Sequence, residues 1–172
     1  ARRLPWPDNF ADIVLLMGPL YHLERAVDRF IALREAERVL KPGGWVAVAA
    51  ISRFASLLDG LTRTRLDDPV FQAILTDDLE HGVHTNPTDN PEYFTTAYFH
   101  LPEELEVEIT GAGFQHVELF AVEGPVWTAS DFDQRWADPE KRLFLLETLE
   151  RVEREPSLMG ATAHLMAFAH KA

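Results

Sequence analysis

Residues 10–51, FADIVLLMGPLYHLERAVDRFIALREAERVLKPGGWVAVAAI, constrain the fold more than any other stretch of the chain. Asp12–Met17 is a short apolar run of the kind required by a sheet covered on both faces. Gly18 and Pro19 end it, one by permitting unusual backbone angles and the other by lacking an amide donor. From Leu23 to Leu40, apolar residues fall at 23, 26, 27, 30, 31, 33, 36, 39 and 40, close to the period of a helix with one apolar face. Lys41 suits the negative helix end, Pro42 prevents continuation, and Gly43-Gly44 supplies a turn into a second apolar strand, Trp45–Ile51. Two strands joined by a helical crossover form a right-handed parallel unit of an open α/β sheet. Such sheets bind ligands in the crevice beyond the carboxyl ends of their strands, and the loop Gly18–Leu23 lies at one such end.

The rest of the chain alternates in the same way. Ser52–Leu61 reads as a loop entering a short helix. Asp68-Pro69 starts another helix, with Asp as cap and Pro at the first position, an apolar face from Val70 to Leu79, and Gly82 at its end. Turn formers and an aromatic cluster follow in residues 83–100. Pro102–Ala112 reads as a helix with Leu105 and Ile109 inward and Gly113 as terminator, leading into strand Gln115–Val122. Ser130 opens a short acidic helix, and Asp138-Pro139 a longer one with Leu143, Leu146, Leu149 and Val152 along one side. Ala163–His170 reads as a terminal strand. Residues 52–100 interrupt the strand–helix alternation as an insertion, the kind of segment that builds lids over strand ends.

Composition narrows the partners. The 172 residues are 47% hydrophobic, enough to bury one core. With 28 acidic against 16 basic residues the net charge is −12, which disfavours nucleic acid and is easier to reconcile with a small neutral or cationic molecule. No apolar run approaches the roughly 20 residues that a membrane helix needs. The absence of cysteine excludes disulfides and thiolate metal sites and fits a cytoplasmic setting. His81 and His84 stand three apart beside Asp77, Asp78 and Glu80, but Gly82 interrupts them, and no metal is expected.

A strand ending in an apolar loop, a helix, then RVLKPGG and another strand resembles the second half of the class I S-adenosylmethionine-dependent methyltransferases. The opening ARRLPWPDNFADIV is similar to the segment before that family's fourth strand, and PEEL…GAGF to the approach to its sixth. The resemblance covers most of residues 1–51 and, more loosely, 101–122 and 163–171. It implies an α/β fold built on a Rossmann-like sheet, mostly parallel, with an antiparallel terminal strand between the fifth and sixth. The family's glycine-rich first loop and the acidic residue ending its second strand have no counterpart in these 172 residues. The sheet is therefore expected to be incomplete at the N-terminus: a single partial domain, 1–172, with 52–100 as a lid or substrate insertion.

The implied activity is transfer of a methyl group from S-adenosylmethionine, leaving S-adenosylhomocysteine, to a small-molecule acceptor. Met17, Gly18, Pro19 and Leu20 stand where the family places the wall beside the cofactor's methionine and sulfonium. Ala1 and Arg2 follow the position of its adenine-contacting acidic residue, with the Arg2 backbone amide as the expected contact. Tyr21 and His22 share the same mouth. His22 either takes a proton from the acceptor, as the candidate catalytic residue, or packs at the helix start. The cluster Tyr93, Phe94, Tyr98, Phe99 and His100 either lines a substrate pocket, with Tyr98 and His100 as polar handles, or places Phe94 and Phe99 in the core. Arg53 either holds an acidic substrate group or caps a helix. Glu123 and Trp127 flank a Gly-Pro turn as possible rim residues.

Two other readings stay open: a non-catalytic remnant or interaction module that does not bind cofactor in this form, and a nicotinamide-dependent Rossmann enzyme, which RVLKPGG fits less well. Missing edge strands would leave apolar sheet exposed, so self-association, with a homodimer as one form, is a further expectation.

Overall fold

The computed structural model of the chain describes residues 1–88 and 90–172. Its strands are β1 (Ala11–Leu16), β2 (Leu40–Ser52), β3 (Val83–His84), β4 (Ala97–His100), β5 (Phe114–Ala121) and β6 (His164–Lys171). Its helices are α1 (Ala26–Val39), α2 (Ala55–Thr62), α3 (Pro69–His81), α4 (Pro102–Gly111), α5 (Phe132–Ala137) and α6 (Pro139–Val152). Residue 89, inside the expected lid, lies outside the described residues.

The six strands form one mixed sheet in the order β3-β4-β2-β6-β5, with β1 also paired to β2. β1 runs parallel to β2, joined by α1 as the sequence pattern demands. β6 lies antiparallel between β2 and β5, matching the position expected for a terminal strand. β6 takes one edge of β2 along residues 45–51. The other edge is shared by β1, opposite residues 40–48, and by β4, parallel to Ile51 and Ser52.

KPGG differs from the expected helix-ending turn. Strand β2 already begins at Leu40, and its register against β1 shifts between Ala11 and Ile13. The extra residues are taken up at Gly43, whose φ is +75°. Gly44 passes so close to β1 that a Cβ there would sit 3.0 Å from the Asp12 carbonyl oxygen and 2.9 Å from that of Lys41. The two glycines therefore serve a bulge within a strand. Asp68 and Asp138 cap α3 and α6 as read from sequence, each accepting two backbone N–H groups. Gly82 ends α3 in the left-handed conformation. In α6 the inward residue is Leu145, whereas Leu143 and Leu146 are exposed, because the helix packs by a face offset from the i, i+3 stripe.

The two faces of the sheet differ sharply. Val46, Val48, Ala50, Leu165, Ala167 and Ala169 point to one side, where Leu33 and Ala36 of α1 and Leu105 and Ile109 of α4 bury them. Full burial of each such branched side chain stabilises by about 1.5–3 kcal/mol. The other side carries Ile13, Leu15, Trp45 and Phe168, and Ile13 and Leu15 remain 63% and 65% exposed. No helix among the described residues is long and apolar enough to cross a membrane.

Candidate functional site

Two polar constellations meet at the carboxyl ends of β1, β2 and β4. The first fixes the loop after β1. Arg29 of α1 is buried and directs Nε and Nη2 at the Glu108 carboxylate of α4, at 3.0 and 2.6 Å. Its Nη1 donates to the carbonyls of Leu23 and Glu24, at 3.0 and 2.7 Å, so the loop is held from beneath. The guanidinium carbon stands 3.6 Å from the centre of the Tyr98 ring, a cation–π contact in a dry setting. The Tyr98 amide donates to the Tyr21 carbonyl at 2.8 Å, which ties the loop to β4.

Arg53, Tyr98 and His100 belong to this same clamp. Arg53 is buried, with Nε on the Phe99 carbonyl at 2.8 Å and Nη2 on Glu104 at 2.7 Å. The Tyr98 hydroxyl donates to Glu104 at 3.2 Å, and burial, then the Glu104 charge, pushes its pKa up. His100 is fully buried, and its Nε2 faces Glu108 at 3.4 Å while Nδ1 is buried with no partner among the described residues. Burial holds the His100 pKa below its ordinary value. Glu108 stays ionised despite burial because hydrogen bonds from His100 and Arg29 favour the carboxylate.

Loop residues Met17–His22 lie at the carboxyl end of β1. Met17 and His22 are exposed, and the Tyr21 and His22 rings stand 4.7 Å apart. A side chain at Gly18 would reach within 3.3 Å of the Tyr21 hydroxyl. Leu20 is fully buried in the main core. Tyr21 packs on the small cluster of Ile51, Ala97 and Phe99. Ala1 is exposed, and the Arg2 guanidinium is paired with Asp28 in the first turn of α1, at 2.7 Å.

The second constellation is a cleft of about 450 Å³ beside that seam, on the sheet face opposite the clamp. Ile51 and Phe99, at the ends of β2 and β4, form its floor, with Phe71, Phe94 and Trp127 among its apolar walls. Residues 52–100 supply α2, α3 and the 3-10 turn Pro91–Tyr93 around it. Of the sequence candidates Tyr93, Phe94, Phe99, Glu123 and Trp127 line the cleft; Arg53, Tyr98 and His100 lie in the clamp. The Tyr93 hydroxyl donates to Asp68, the cap of α3.

Three residues in the cleft wall carry charge chemistry: His84, weighed in the sequence only as a metal ligand, Glu123, read there as a rim residue, and His164, which the sequence reading missed. His84 is buried and stacks on Phe99 with ring centres 4.8 Å apart. Its Nδ1 faces the Asp78 carboxylate at 2.9 Å, and Asp78, itself fully buried, also accepts the Ser56 hydroxyl. His81 is exposed, so the two histidines share no face. Glu123, after β5, accepts from the Thr162 hydroxyl at 2.8 Å, from the His164 amide at 2.9 Å and from His164 Nδ1 at 2.5 Å. Burial opposes the Glu123 charge, but these bonds lower its pKa to about 2, while the same pairing raises that of His164. The strict alternation of β6, with Leu165, Ala167 and Ala169 inward, is the signal that puts His164 on the cleft side.

A model of the methyltransferase domain matches residues 1–48. The ubiquinone/menaquinone biosynthesis C-methyltransferase UbiE of Azotobacter vinelandii is 30% identical over 128 residues, 73% of this chain and 47% of that protein. Its counterpart from Shewanella frigidimarina is 30% identical over 69% of this chain and 44% of its own length. This chain resembles the class I S-adenosylmethionine-dependent methyltransferases in sequence and shares their fold. It spans about half the length of the curated relatives it matches. Solved structures agree in fold: a Methanosarcina mazei methyltransferase superposes with a TM-score of 0.54 at 17% identity, covering 99% of this chain and 63% of that one. A possible histamine N-methyltransferase from Thermotoga maritima gives 0.52, also at 17% identity, over 99% of this chain and 61% of that one. The methyltransferase fold agrees with the crossover β1–α1–β2 and the antiparallel β6.

Proposed function

We propose that the protein transfers a methyl group from S-adenosylmethionine to a small aromatic acceptor bound in the cleft. The observation that carries this is the position of the cleft: an apolar volume at the carboxyl ends of β2 and β4, one residue layer from the loop that follows β1. Residues present fit one wall of a cofactor site. Met17 is exposed and apolar, and Gly18 and Pro19 expose backbone at the end of a parallel strand. Leu20 would contribute only through its backbone, since its side chain is core. Ala1 and Arg2 would lie at the adenine end, with the Arg2 amide as the contact. When bound, the cofactor supplies an electrophilic methyl on a positively charged sulfur.

The remaining work belongs to this chain's residues. Alignment and exclusion of water are the main requirements of such a transfer. Phe71, Phe94, Phe99 and Trp127 supply flat apolar walls for an aromatic ring. The relatives' name describes C-methylation in ubiquinone and menaquinone biosynthesis, and a ring of that kind matches such a lining. Tyr21 and His22 would stand on the cofactor side of the ring. Arg53, Tyr98 and His100 would act through the loop they hold. A net charge of −12 speaks against nucleic acid, and the lack of cysteine suits the cytoplasm. A homodimer would cover the apolar sheet face.

Calorimetric titration with S-adenosylhomocysteine tests this reading, followed by transfer of labelled methyl from S-adenosylmethionine to quinol-type acceptors. Binding of the product cofactor together with label transfer is expected. Absence of binding, with no shift in melting temperature, would favour the non-catalytic reading.

A further inference from the structure

The Glu123–His164 pair stands at the cleft with a geometry that its packing does not require. Glu123 is held by three donors, two of them from His164 itself. Its carboxylate can only accept, so the proton of the neutral His164 ring sits on Nδ1. Nε2 is then left as a lone-pair acceptor, and it has no hydrogen-bond partner among the described residues. The side chain is 51% exposed and lines the cleft. His164 sits opposite Ile51 in the β2–β6 register, so it stands beside the cleft floor. In the same wall, the Trp127 indole N–H is buried and has no hydrogen-bond partner among the described residues.

We propose that His164 is the proton acceptor of this methyltransferase and that Glu123 positions it, so that the acceptor class is a neutral aromatic carrying an ionisable hydroxyl. This rests on the methyltransferase reading of the cleft and adds the substrate chemistry. The hydroxyl proton passes to His164 Nε2, and the O–H bonding pair stays on the substrate as an aryloxide. That pair, on oxygen or delocalised onto a ring carbon, bonds to the electrophilic methyl as the methyl–sulfur bond breaks and its pair stays on sulfur. After attack at carbon, the proton on that carbon passes to solvent and the ring regains its aromaticity. The imidazolium so formed is stabilised by the Glu123 carboxylate 2.5 Å away. Other charged or titratable groups lining the cleft are Asp59 and Arg63 of α2, His84 of β3, and Glu92 and Tyr93 of the 3-10 turn. Complete proton transfer to an imidazole ahead of methyl transfer is far less costly for a phenol than for an alcohol, which favours phenols as acceptors.

The probe is hydroquinone, with 1,4-dimethoxybenzene as the analogue that has no proton to give. Histidine ring signals of the full chain are followed by long-range proton–nitrogen NMR. In the free wild type the His164 ring is expected as the Nδ1–H tautomer with a pKa above 6.5, falling in Glu123→Gln. Hydroquinone should shift the His164 ring nitrogens and bind at least tenfold more weakly to His164→Ala, while dimethoxybenzene binds both alike. A proton on Nε2, no binding of hydroquinone in the millimolar range, or equal binding by wild type and variant would each overturn the proposal. The wild-type spectra decide even if a variant fails to fold. A chain that binds S-adenosylhomocysteine but leaves His164 unmoved by hydroquinone keeps methyl transfer and loses this base. The reverse outcome loses methyl transfer and keeps the hydroxyl site.

Discussion

His84 and Asp78 form a buried pair in which the imidazole is protonated on both nitrogens. Nδ1 meets the Asp78 carboxylate at 2.9 Å, and Nε2 meets the Tyr93 carbonyl oxygen at 2.7 Å. Both partners can only accept, so both ring nitrogens must donate. One side chain thereby fastens α3, β3 and the 3-10 turn over the cleft.

Burial disfavours that charged ring, but the hydrogen bond and charge of Asp78 outweigh it and hold the His84 pKa above 6.5. A raised pKa contributes stability that is full below the unfolded value and lost as pH rises through the folded one. Asp78→Asn should therefore cost about 3 kcal/mol or more near pH 5–6 and less at high pH, since it removes one partner of a buried pair. Melting curves of wild type and variant across pH 5–9 measure this, and a pH-independent gap would contradict it.

Arg29→Ala should be among the most damaging single changes in the chain. It leaves Glu108 buried with only a long contact to His100, and it frees the carbonyls of Leu23 and Glu24. Loss of about 3–5 kcal/mol is expected. Hydrogen exchange should quicken first at the Tyr98 amide, whose partner is the Tyr21 carbonyl of the loop.

The Glu123–His164 pair should leave its own mark on stability. The depressed Glu123 pKa contributes above the ordinary value of 4.5 and is lost as pH falls toward about 2. The raised His164 pKa contributes below 6.5 and is lost at higher pH. Glu123→Gln should thus lower the melting temperature most between about pH 4.5 and 6.5, by an amount corresponding to about 1–3 kcal/mol. A difference that grows above pH 8 would be the wrong sign.

Asp68 serves two masters, capping α3 through the amides of Val70 and Phe71 and accepting the Tyr93 hydroxyl. Asp68→Ala should lower stability through the lost cap, with a further loss from the unpaired hydroxyl. Tyr93→Phe should lower it less, since the cap is kept. Equal effects in urea unfolding would mean that the cap contributes little.

The open sheet face should make the 172-residue chain self-associate. Ile13, Leu15, Trp45 and Phe168 are exposed on it, and β1 has β2 as its only strand neighbour among the described residues. Leu15→Lys should lower the apparent mass in light scattering relative to wild type. A wild-type chain that is already monomeric at high concentration would sink the idea.

What the sequence made legible was whatever local chemistry decides. The crossover β1–α1–β2, both Asp-Pro helix starts and the Gly82 stop could be read because periodicity, capping and left-handed turns are short-range. β3 and β4 could not, since two- and four-residue strands exist only through pairing with residues far along the chain. The site split along the same line. Tyr93 reaches the cleft, but Arg53, Tyr98 and His100 are drawn into a clamp by Arg29, Glu104 and Glu108, partners that no local pattern announces. Residues that meet from distant stretches, such as Glu123 and His164, carry no spacing signature.

The direction of β6 has a consequence for how such a pocket can change. Because this strand runs against its neighbours, its opening residue arrives where theirs finish, and alternation alone decides which side chain faces the cavity. Deleting one residue in the Gly160–Ala163 turn, with the strand sliding to follow, would swing an imidazole onto the helix side and offer a leucine in its place. A single codon's worth of slippage would thus trade a proton-accepting pocket for a greasy one only by turning all of β6, whose core face anchors the opposite side of the sheet.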